Sequence, residues 1–476
     1  MKVLITHSYY LQFDKKQLAL SKPYPPLATL IVANVLRNLG NDVYLHDVSF
    51  DSSLQPLKKR LKEVNPDLLL ICDDGFNYLT KMCLTNMREA AFNLLRFAKS
   101  IGVKTIISSS DSTDHYTDYL MSGADVVLLG EPESTLIELF DKGIRDFESI
   151  KGIAFKSNGN FKCNERRKVI TQLDKLPLPA WDLIDIKPYK RAWEKHNYFS
   201  INVSTTRGCP YKCNWCAKPI YGNRYNVRSP EHVLNELKEM SRFFEFDHIW
   251  FCDDIFGLKP GWLDSFSKLL IESGMKLKYK IQCRADLLQN EELIDNLSKS
   301  GADEIWIGAE SGSQKILDAM DKGINVEQIY QAVRLLKKYQ MKPCLFLQFG
   351  YPGETKADIL KTLKMVDELE PFDIGVSVSY PLPGTVFYEN VKVSMKEKKN
   401  WKDSDELLLM YSGEYSATFY KTLHRYVHKS FRAKQSWQEL KNIFTLKNGN
   451  IHKALLTAYY KPASLILRSG VNLKGK

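Results

Sequence analysis

Apolar and polar positions along the first third of the chain alternate in a way that predicts an α/β sheet. Short apolar runs, typical of strands, are separated by longer segments with apolar residues at helical spacing. The first helical segment ends at Gly40, a residue type common at helix C-caps. This order favours a doubly wound parallel sheet, which binds ligands beyond the carboxyl ends of its strands. The predicted strands are Val3–Thr6, Val43–Asp47, Leu68–Cys72, Thr105–Ser108 and Val126–Leu129, and the predicted helices are Leu27–Leu39, Leu84–Ser100 and Thr117–Ser122.

A second alternation of strand and helix patterns begins near residue 200 and predicts six further strands. Six strands, rather than eight, indicate an open partial barrel of the (βα)6 TIM type. Its site is expected at the carboxyl-terminal edge of the strands, as in complete barrels. The predicted strands are Phe199–Ser204, His248–Cys252, Lys278–Cys283, Glu304–Ile307, Pro343–Phe349 and Asp373–Ser379, and the predicted helices are Pro230–Phe243, Gly261–Ser273, Asn290–Ser300, Val326–Tyr339 and Lys356–Glu368.

These patterns divide the chain into four regions. A proline-punctuated stretch, Leu-Pro-Leu-Pro at 176–179, lies between the two alternating segments and indicates a rigid connector. The predicted regions are a Rossmann-like doubly wound domain at 1–145, a linker at 146–195, the partial barrel at 196–390 and a helical carboxyl-terminal region at 391–476. A length of 476 residues suits two or three domains.

The net charge of +11 comes entirely from the carboxyl-terminal region. Residues 391–476 contain 17 Lys and Arg against 6 Asp and Glu, and the rest of the chain is balanced. Such a surface suits anionic lipid, a phosphorylated substrate or nucleic acid. The region is also rich in aromatic residues, and Leu423, Tyr426 and Val427 lie at the spacing of an amphipathic helix. Two interpretations remain open: a helical cap over the barrel mouth, or docking on a membrane surface or lipid-like substrate.

The amino terminus runs directly into a predicted strand, with no apolar segment typical of a signal peptide. No apolar run approaches the roughly 18 residues of a membrane span. Nine cysteines, unevenly spread, do not resemble the disulfide framework of a secreted protein. The sequence therefore predicts a cytoplasmic protein.

Cys209, Cys213 and Cys216 form a C-x3-C-x2-C cluster just after a predicted strand. Thiolates favour zinc, copper(I) or iron–sulfur centres. Zinc sites usually pair two separated C-x2-C units, and no second pair follows here. Iron–sulfur clusters normally take four cysteines, so three ligands would leave one iron open to a small molecule. The pattern favours a reaction centre over the alternatives of a disulfide or a chance cluster.

With Trp215 as the aromatic residue before the third cysteine, this motif resembles the signature of the radical S-adenosylmethionine (SAM) enzymes. The resemblance implies that the three cysteines hold a [4Fe–4S] cluster and that Trp215 belongs to the cofactor site. It also implies that the open iron binds the amino and carboxylate groups of SAM. One-electron reduction of SAM then releases a 5′-deoxyadenosyl radical.

The resemblance extends to residues at the ends of the next two barrel strands. Asp253 and Asp254 follow the second strand, where the family binds the methionine amino group. A helix-capping role is the alternative for either aspartate. Arg284 follows the third strand and is expected to pair with the SAM carboxylate, with a surface ion pair as the alternative.

The fourth and fifth strands end in further motifs of this kind. Glu310 and Ser311 stand in a G-x-E-S element, and a carboxylate there would accept hydrogen bonds from ribose hydroxyls. Gly350 follows the fifth strand, where the absence of a side chain lets the backbone approach adenine.

The amino-terminal region resembles the cobalamin-binding domain that precedes many radical SAM domains. The segments at 25–30 and 123–133 carry this likeness. Two features depart from it: no D-x-H-x-x-G run occurs in residues 1–145, and serines at 108–110 stand where a Gly-Gly pair is usual. We expect Asp111, Thr113 and His115 to line the corrin pocket, with a polar loop that binds no cofactor as the alternative.

Taken over roughly residues 1–390, the resemblance implies a cobalamin-dependent radical SAM enzyme. The implied class includes anaerobic magnesium-protoporphyrin ester cyclase-like proteins and class B radical methyltransferases. Its reaction would be methylation, cyclisation or oxidative rearrangement of an unactivated carbon. The expected partners are a small-molecule or lipid-like substrate, a one-electron reductant such as flavodoxin or ferredoxin, and a membrane surface.

Two other functions remain as alternatives. A transfer-RNA methylthiotransferase would need a second cluster from three amino-terminal cysteines, for which the chain offers only Cys72, Cys83 and Cys163. No strand-rich RNA-binding module follows the predicted barrel. A non-catalytic cobalamin or iron–sulfur sensor is the second alternative.

Overall fold

The computed structural model describes residues 1–77, 79–80, 84–216, 220–395, 397, 400–445 and 450–471. Two sheets carry the fold, and a helical hairpin follows the second. The first sheet has the strand order β2-β1-β3-β4-β5-β6-β7. Its strands are β1 (Lys2–Thr6), β2 (Asp42–Leu45), β3 (Leu68–Cys72), β4 (Lys104–Ser108), β5 (Val126–Leu128), β6 (Ile153–Ser157) and β7 (Asn160–Cys163). The first five are parallel, and strand order reverses between β1 and β3, where such sheets bind ligands.

Helices cover both faces of this sheet, which confirms the predicted doubly wound fold. One face packs against apolar residues of α2 (Leu27–Asn38) and α7 (Glu133–Asp141), including Val32, Leu36 and Leu136. The other face packs against α3 (Gln55–Val64) and α4 (Thr85–Ser100), through residues such as Leu61 and Leu95. The helices of this part are α1 (Lys15–Leu20), α2 (Leu27–Asn38), α3 (Gln55–Val64), α4 (Thr85–Ser100), α5 (Ser110–Asp114), α6 (Tyr116–Met121) and α7 (Glu133–Asp141).

The sheet continues beyond the boundary predicted at residue 145. Strands β6 and β7 form an antiparallel hairpin that pairs with β5. Asn158 and Gly159 both have positive φ angles at the turn, as tight two-residue hairpins require. The segment predicted as an irregular linker therefore begins with two strands of the first sheet. Short 3-10 helices follow at Leu173–Lys175, Trp181–Leu183 and Glu194–His196.

The second sheet confirms the predicted six-stranded partial barrel. Its strands are parallel neighbours in the order β15-β14-β13-β12-β11-β8. They are β8 (Ser200–Val203), β11 (His248–Phe251), β12 (Tyr279–Cys283), β13 (Ala302–Glu310), β14 (Lys342–Phe349) and β15 (Asp373–Val378). A two-stranded ribbon, β9 (Thr206–Arg207) and β10 (Asn226–Val227), follows β8. The helices are α8 (Lys187–Trp193), α9 (Pro230–Phe243), α10 (Trp262–Ser273), α11 (Glu291–Ser300), α12 (Gln314–Ala319), α13 (Val326–Lys338), α14 (Lys356–Leu369) and α15 (Val386–Val391).

A helical hairpin forms the carboxyl-terminal part of the described chain. It consists of α16 (Ala417–Phe444), α17 (Ile451–Leu455) and α18 (Thr457–Val471). Helix α16 packs against β15, the edge strand of the open barrel, and buries Leu423 and Val427 there. Covering an exposed strand edge with a helix prevents it from pairing with another chain. Within the described part of the chain, no helix is long and apolar enough to cross a membrane.

Candidate active site

One cavity of about 2210 Å³ extends from the edge of the first sheet through the interior of the barrel. A typical pocket for one small ligand measures about 300–1,000 Å³. The space therefore admits more than one small molecule. From the first sheet it is lined by Tyr9, Ser49, Asn77 and Leu79, and from the barrel by Cys209, Cys213, Trp215, Cys216, Asp254, Arg284, Glu310 and Lys322, among others.

The three cysteines of the motif stand together on the loop after β9. All three side chains are only partly buried. Among the described residues, no group of three or more His, Cys, Asp or Glu is placed to hold a single metal ion. Three closely spaced thiols are a donor set that an iron–sulfur cluster takes, so the chemistry of these residues fits such a cluster.

Asn214, between the second and third cysteines, fixes this loop to the barrel. Its side-chain amide donates to the carbonyl oxygen of Ala319 over 2.7 Å, and its backbone amide donates to that of Met320 over 3.0 Å. Its side-chain carbonyl oxygen accepts a hydrogen bond from the Tyr351 hydroxyl over 2.8 Å. The loop is thus tied to the end of α12 and to the segment after β14. Sequence reasoning missed Asn214, because its partners are distant along the chain.

The loop begins at a glycine that no other residue can replace without strain. Gly208 has a φ of +79°, and a Cβ there would lie 2.5 Å from the carbonyl oxygen of Arg224. Both the backbone conformation and the close approach therefore require glycine.

Arg207, directly before this glycine, joins the two sheets through a buried ion-pair cluster. Its guanidinium donates to Glu131 over 2.8 Å and to Glu133 over 2.6 Å, and all three side chains are almost inaccessible to water. Rings of Phe76 and Tyr221 lie 5.7 and 5.3 Å from the guanidinium carbon. Burial by itself lowers the pKa of Arg207, but the neighbouring carboxylates outweigh burial and raise the pKa above its usual value.

Arg284 places a positive charge against the cysteine loop. Its Nη1 donates to the sulfur of Cys213 over 3.8 Å, and the guanidinium carbon lies 3.7 Å from the Tyr211 ring centroid. Asp286 accepts hydrogen bonds from Nε and Nη2 over 2.9 and 3.1 Å. The planar guanidinium is thereby held in one orientation beside a cluster ligand.

Glu310 and Lys322 form a second buried ion pair in the cavity. The Lys322 ammonium donates to Glu310 over 2.8 Å and lies 5.8 Å from the Trp215 ring. Glu310 has a φ of +59°, which is rare for a residue with a side chain, and the register between β13 and β14 shifts beside it. Such strain persists only where the surroundings hold it, and it is concentrated at functional sites. Lys322 follows α12 and belongs to no motif identified in the sequence, so sequence reasoning missed it.

The two aspartates after β11 are placed differently. Asp254 lines the cavity. Asp253 is buried and accepts hydrogen bonds from the backbone amides of Thr205 and Thr206 over 2.7 and 2.8 Å, and from the Thr205 hydroxyl. Burial raises its pKa to about 6, although these hydrogen bonds favour the ionised form. Asp253 thus braces the turn between β8 and β9 from outside the cavity lining.

Ser311 and Gly350 also lie outside the cavity lining. The Ser311 hydroxyl bonds the Thr362 hydroxyl over 3.1 Å, which joins the end of β13 to α14. Gly350 donates its amide to Glu354 over 2.6 Å and accepts a hydrogen bond from Tyr411 at its carbonyl oxygen. In the described structure, the close backbone approach at Gly350 is therefore to the carboxyl-terminal region.

The three residues expected in a corrin pocket do not line the cavity. The chain enters α5 immediately after β4, with Ser109 as the N-cap. Asp111 consequently turns inward and accepts hydrogen bonds from Arg88 and from Tyr119, the latter over 2.6 Å. Thr113 donates its hydroxyl to the Ser109 carbonyl oxygen over 2.9 Å, and His115 lies 3.8 Å from Asp111. The first sheet meets the cavity instead at the loops after β1, β2 and β3.

A family model for the radical SAM superfamily matches residues 203–366. An uncharacterised methyltransferase of Pyrococcus horikoshii is 26% identical over 373 residues, which cover 77% of this chain and 78% of the relative. The anaerobic magnesium-protoporphyrin IX monomethyl ester cyclase of Rubrivivax gelatinosus is 22% identical over 409 residues, which cover 82% of this chain and 70% of the relative.

Solved structures with the same fold include two proteins that were solved with cobalamin bound. The cobalamin-dependent S-adenosylmethionine radical enzyme OxsB, solved with aqua-cobalamin, is 16% identical with a TM-score of 0.75, over 99% of this chain and 73% of that one. The radical SAM methyltransferase TsrM of Kitasatospora setae is 17% identical with a TM-score of 0.67, over 82% of this chain and 74% of that one. At these identities the likeness establishes the fold. The chain therefore carries a radical SAM domain at residues 203–366, a domain that uses a [4Fe–4S] cluster and SAM, and it is an enzyme.

Proposed function

We propose that this enzyme uses cobalamin together with a [4Fe–4S] cluster and SAM to methylate, cyclise or oxidatively rearrange an unactivated carbon. The observation that carries the proposal is the shared cavity. Partly exposed thiols open into the same space as the ligand edge of a doubly wound domain. A volume of about 2210 Å³ suits two cofactors and a substrate better than SAM alone.

In this proposal Cys209, Cys213 and Cys216 would hold three irons of the cluster. When bound, the cluster would supply one electron for the reductive cleavage of SAM, the chemistry that removes a hydrogen atom from the substrate. The Arg284 cation beside Cys213 balances negative charge on the thiolate. Asn214 keeps the loop in one conformation through hydrogen bonds that include those to Ala319, Met320 and Tyr351, so the ligands would be held before the cluster binds.

The residues that hold SAM would come from the same edge of the barrel. Asp254 lines the cavity and presents a carboxylate suited to the methionine amino group. Glu310 would accept hydrogen bonds from ribose hydroxyls, with Lys322 as the positioning residue that fixes its carboxylate. Trp215 would pack beside them. Asp253, Ser311 and Gly350 support the loops that carry these groups, because their polar atoms bond protein partners.

Cobalamin would lie across the edge of the first sheet at the loops after β1, β2 and β3. Tyr9, Ser49 and Asn77 line the cavity there. His7 follows β1, but its Nε2 bonds Asp47 over 2.8 Å and the ring is buried. We therefore expect the corrin to be held without a histidine from this loop. The α5 segment, with Asp111, Thr113 and His115, would shape the neighbouring backbone rather than contact the corrin.

Anaerobic purification with added hydroxocobalamin tests both cofactors. Iron and sulfide content should correspond to four of each per chain, and the optical spectrum should show bound corrin. The Cys213→Ala variant should lose the cluster and keep the corrin. The control variant Cys344→Ala, which replaces a buried cysteine of a barrel strand, should keep both. A protein that takes up iron and cleaves SAM but never retains corrin would contradict the cobalamin proposal. Failure of the reduced holoenzyme to release 5′-deoxyadenosine would instead favour a sensor.

The methylthiotransferase alternative has no structural support within the described chain. Cys72 is buried in β3, whereas Cys163 is exposed at the end of β7, the edge strand of the same sheet. Strands β4, β5 and β6 lie between the two cysteines. Cys83 lies outside the described residues.

A radical SAM enzyme needs an electron donor, and we propose a flavodoxin or ferredoxin in the cytoplasm. A small-molecule or lipid-like substrate and a membrane contact at the basic carboxyl-terminal region complete the proposed partners.

A further inference from the structure

The outer face of the carboxyl-terminal hairpin carries a stripe of large apolar side chains. We define the apolar stripe as Ile451, Leu455, Tyr459, Leu465 and Ile466, which are between 58% and 71% exposed. Leu456, between α17 and α18, keeps helical φ and ψ angles, so the two helices run almost continuously. At 3.6 residues per turn, the five positions lie within an arc of about 120°. The stripe therefore lies on one side of the two helices, with Pro462 inside α18 between Tyr459 and Leu465.

The inner face of the same helices already packs against the protein. Its buried positions are Ala454, Thr457, Ser464 and Val471, and Leu456 and Tyr460 line the cavity from the same side. An ordinary surface helix turns its large apolar residues toward the core and its polar ones outward. Here large apolar side chains also face away from the protein. Exposed apolar patches of this kind mark an interaction site.

The hairpin is also strongly basic. Residues 417–471 contain ten Lys and Arg but a single acidic residue, Glu439. Lys461 and Arg468 lie next to the apolar stripe on the helical wheel, and both are exposed. The Lys461 ammonium lies 4.3 Å from the Trp437 ring centroid, and the Lys429 ammonium lies 4.2 Å from that of Tyr459. Basic residues beside aromatic rings are typical of helices that lie in a membrane interface.

We infer that the hairpin docks this enzyme on the surface of an anionic lipid bilayer, with the apolar stripe buried at the boundary of headgroups and acyl chains. Charge makes a second copy of the chain a less favourable partner for the stripe than a bilayer, because a symmetric contact would bring two such basic faces together. Nucleic acid would use the basic residues but leave five large apolar side chains in water. An anionic bilayer satisfies both features at once.

Docking would bring the membrane close to the cavity. Leu456 and Tyr460, on the inner side of the same hairpin, line the space that also contains the cysteine loop. A lipid-like substrate of the proposed reaction would benefit from this closeness of the membrane to the cavity. The docking itself needs no cluster, SAM or catalysis, so its test succeeds or fails independently of the proposed function.

The test is co-sedimentation of the anaerobically purified full chain with vesicles. We expect binding to vesicles of phosphatidylcholine with one quarter phosphatidylglycerol, and much weaker binding to pure phosphatidylcholine. Leu455→Ser combined with Ile466→Ser should lower the partition coefficient about tenfold or more. Lys461→Gln combined with Arg468→Gln should lower it about fivefold for each charge, at low salt only.

A matched control removes equally exposed apolar side chains elsewhere. Ile271→Ser combined with Val393→Ser should leave binding unchanged, since both residues are highly exposed but lie outside the hairpin. The inference is overturned if wild type ignores anionic vesicles at low salt, or if the control loses as much binding as the stripe variant. It is also overturned if light scattering shows a dimer that the stripe variant converts to a monomer, because the stripe would then be an interface between copies.

Discussion

The buried cluster around Arg207 allows a quantitative prediction about what joins the two sheets. Arg207→Met removes the cation and leaves Glu131 and Glu133 side by side without it, both shielded from water. Removing one partner of a buried ion pair costs about 3–5 kcal/mol, because the remaining charge keeps its desolvation penalty. Among the described residues, Oε2 of Glu133 has no hydrogen-bond partner even with the arginine present, so we expect a loss at the upper end of that range.

The assay is urea unfolding of the apoprotein under reducing conditions. Arg37→Met is the matched control, because Arg37 also makes two hydrogen bonds of 2.8 Å, to Asp182, but on the exposed surface. Its removal should cost about 0–1 kcal/mol. Converting Glu131 and Glu133 to Gln in the Arg207→Met background should restore most of the lost free energy of unfolding. Equal losses in the two single variants, or no recovery in the triple variant, would refute the reasoning.

Two further predictions concern the barrel edge. Gly208→Ala should reduce iron bound per chain and cost at least about 1–2 kcal/mol of backbone strain, because the new Cβ also meets a carbonyl oxygen at 2.5 Å. Gly222→Ala is the control, because Gly222 has a φ of +65° but open space around an added Cβ, so this variant introduces backbone strain without a steric clash. If the two variants bound similar amounts of iron per chain, the steric argument would be contradicted. Burial raises the pKa of Glu354 to about 8 from 4.5, so the folded state keeps a proton that the unfolded state releases. Stability should therefore fall as pH rises from about 4.5 to about 8, and Glu354→Gln should flatten that slope in urea titrations; an unchanged slope would show that Glu354 is ionised in the folded protein.

The parallel strands of both sheets were predictable because their signal is local. A buried parallel strand is a short apolar run between turn residues, and this pattern locates all six barrel strands, although β13 (Ala302–Glu310) extends beyond the predicted Glu304–Ile307 at both ends. The antiparallel strands β6 and β7 of the first sheet were missed. Four helices of the first domain were missed: Lys15–Leu20, Gln55–Val64, Ser110–Asp114 and Glu133–Asp141. The exposed side of Gln55–Val64 is mostly charged.

The site could be predicted only in part, for a similar reason. The cysteine triplet needs no long-range partner to be visible, since its ligands lie within eight residues. The groups that hold it in place come from far along the chain: Asn214 meets Tyr351 across 137 residues, and Arg207 meets Glu131 across 76. No local spacing records such contacts.

The sequence by itself determined the strand and helix periods, the basic excess at the carboxyl terminus and the presence of the cysteine motif. Tertiary structure alone decided which acidic groups face the cavity. Asp253 and Asp254 are adjacent in the chain, yet Asp253 is drawn to the backbone amides of Thr205 and Thr206 while Asp254 lines the cavity. A buried carboxylate must find hydrogen-bond donors, and where donors lie depends on packing between distant segments.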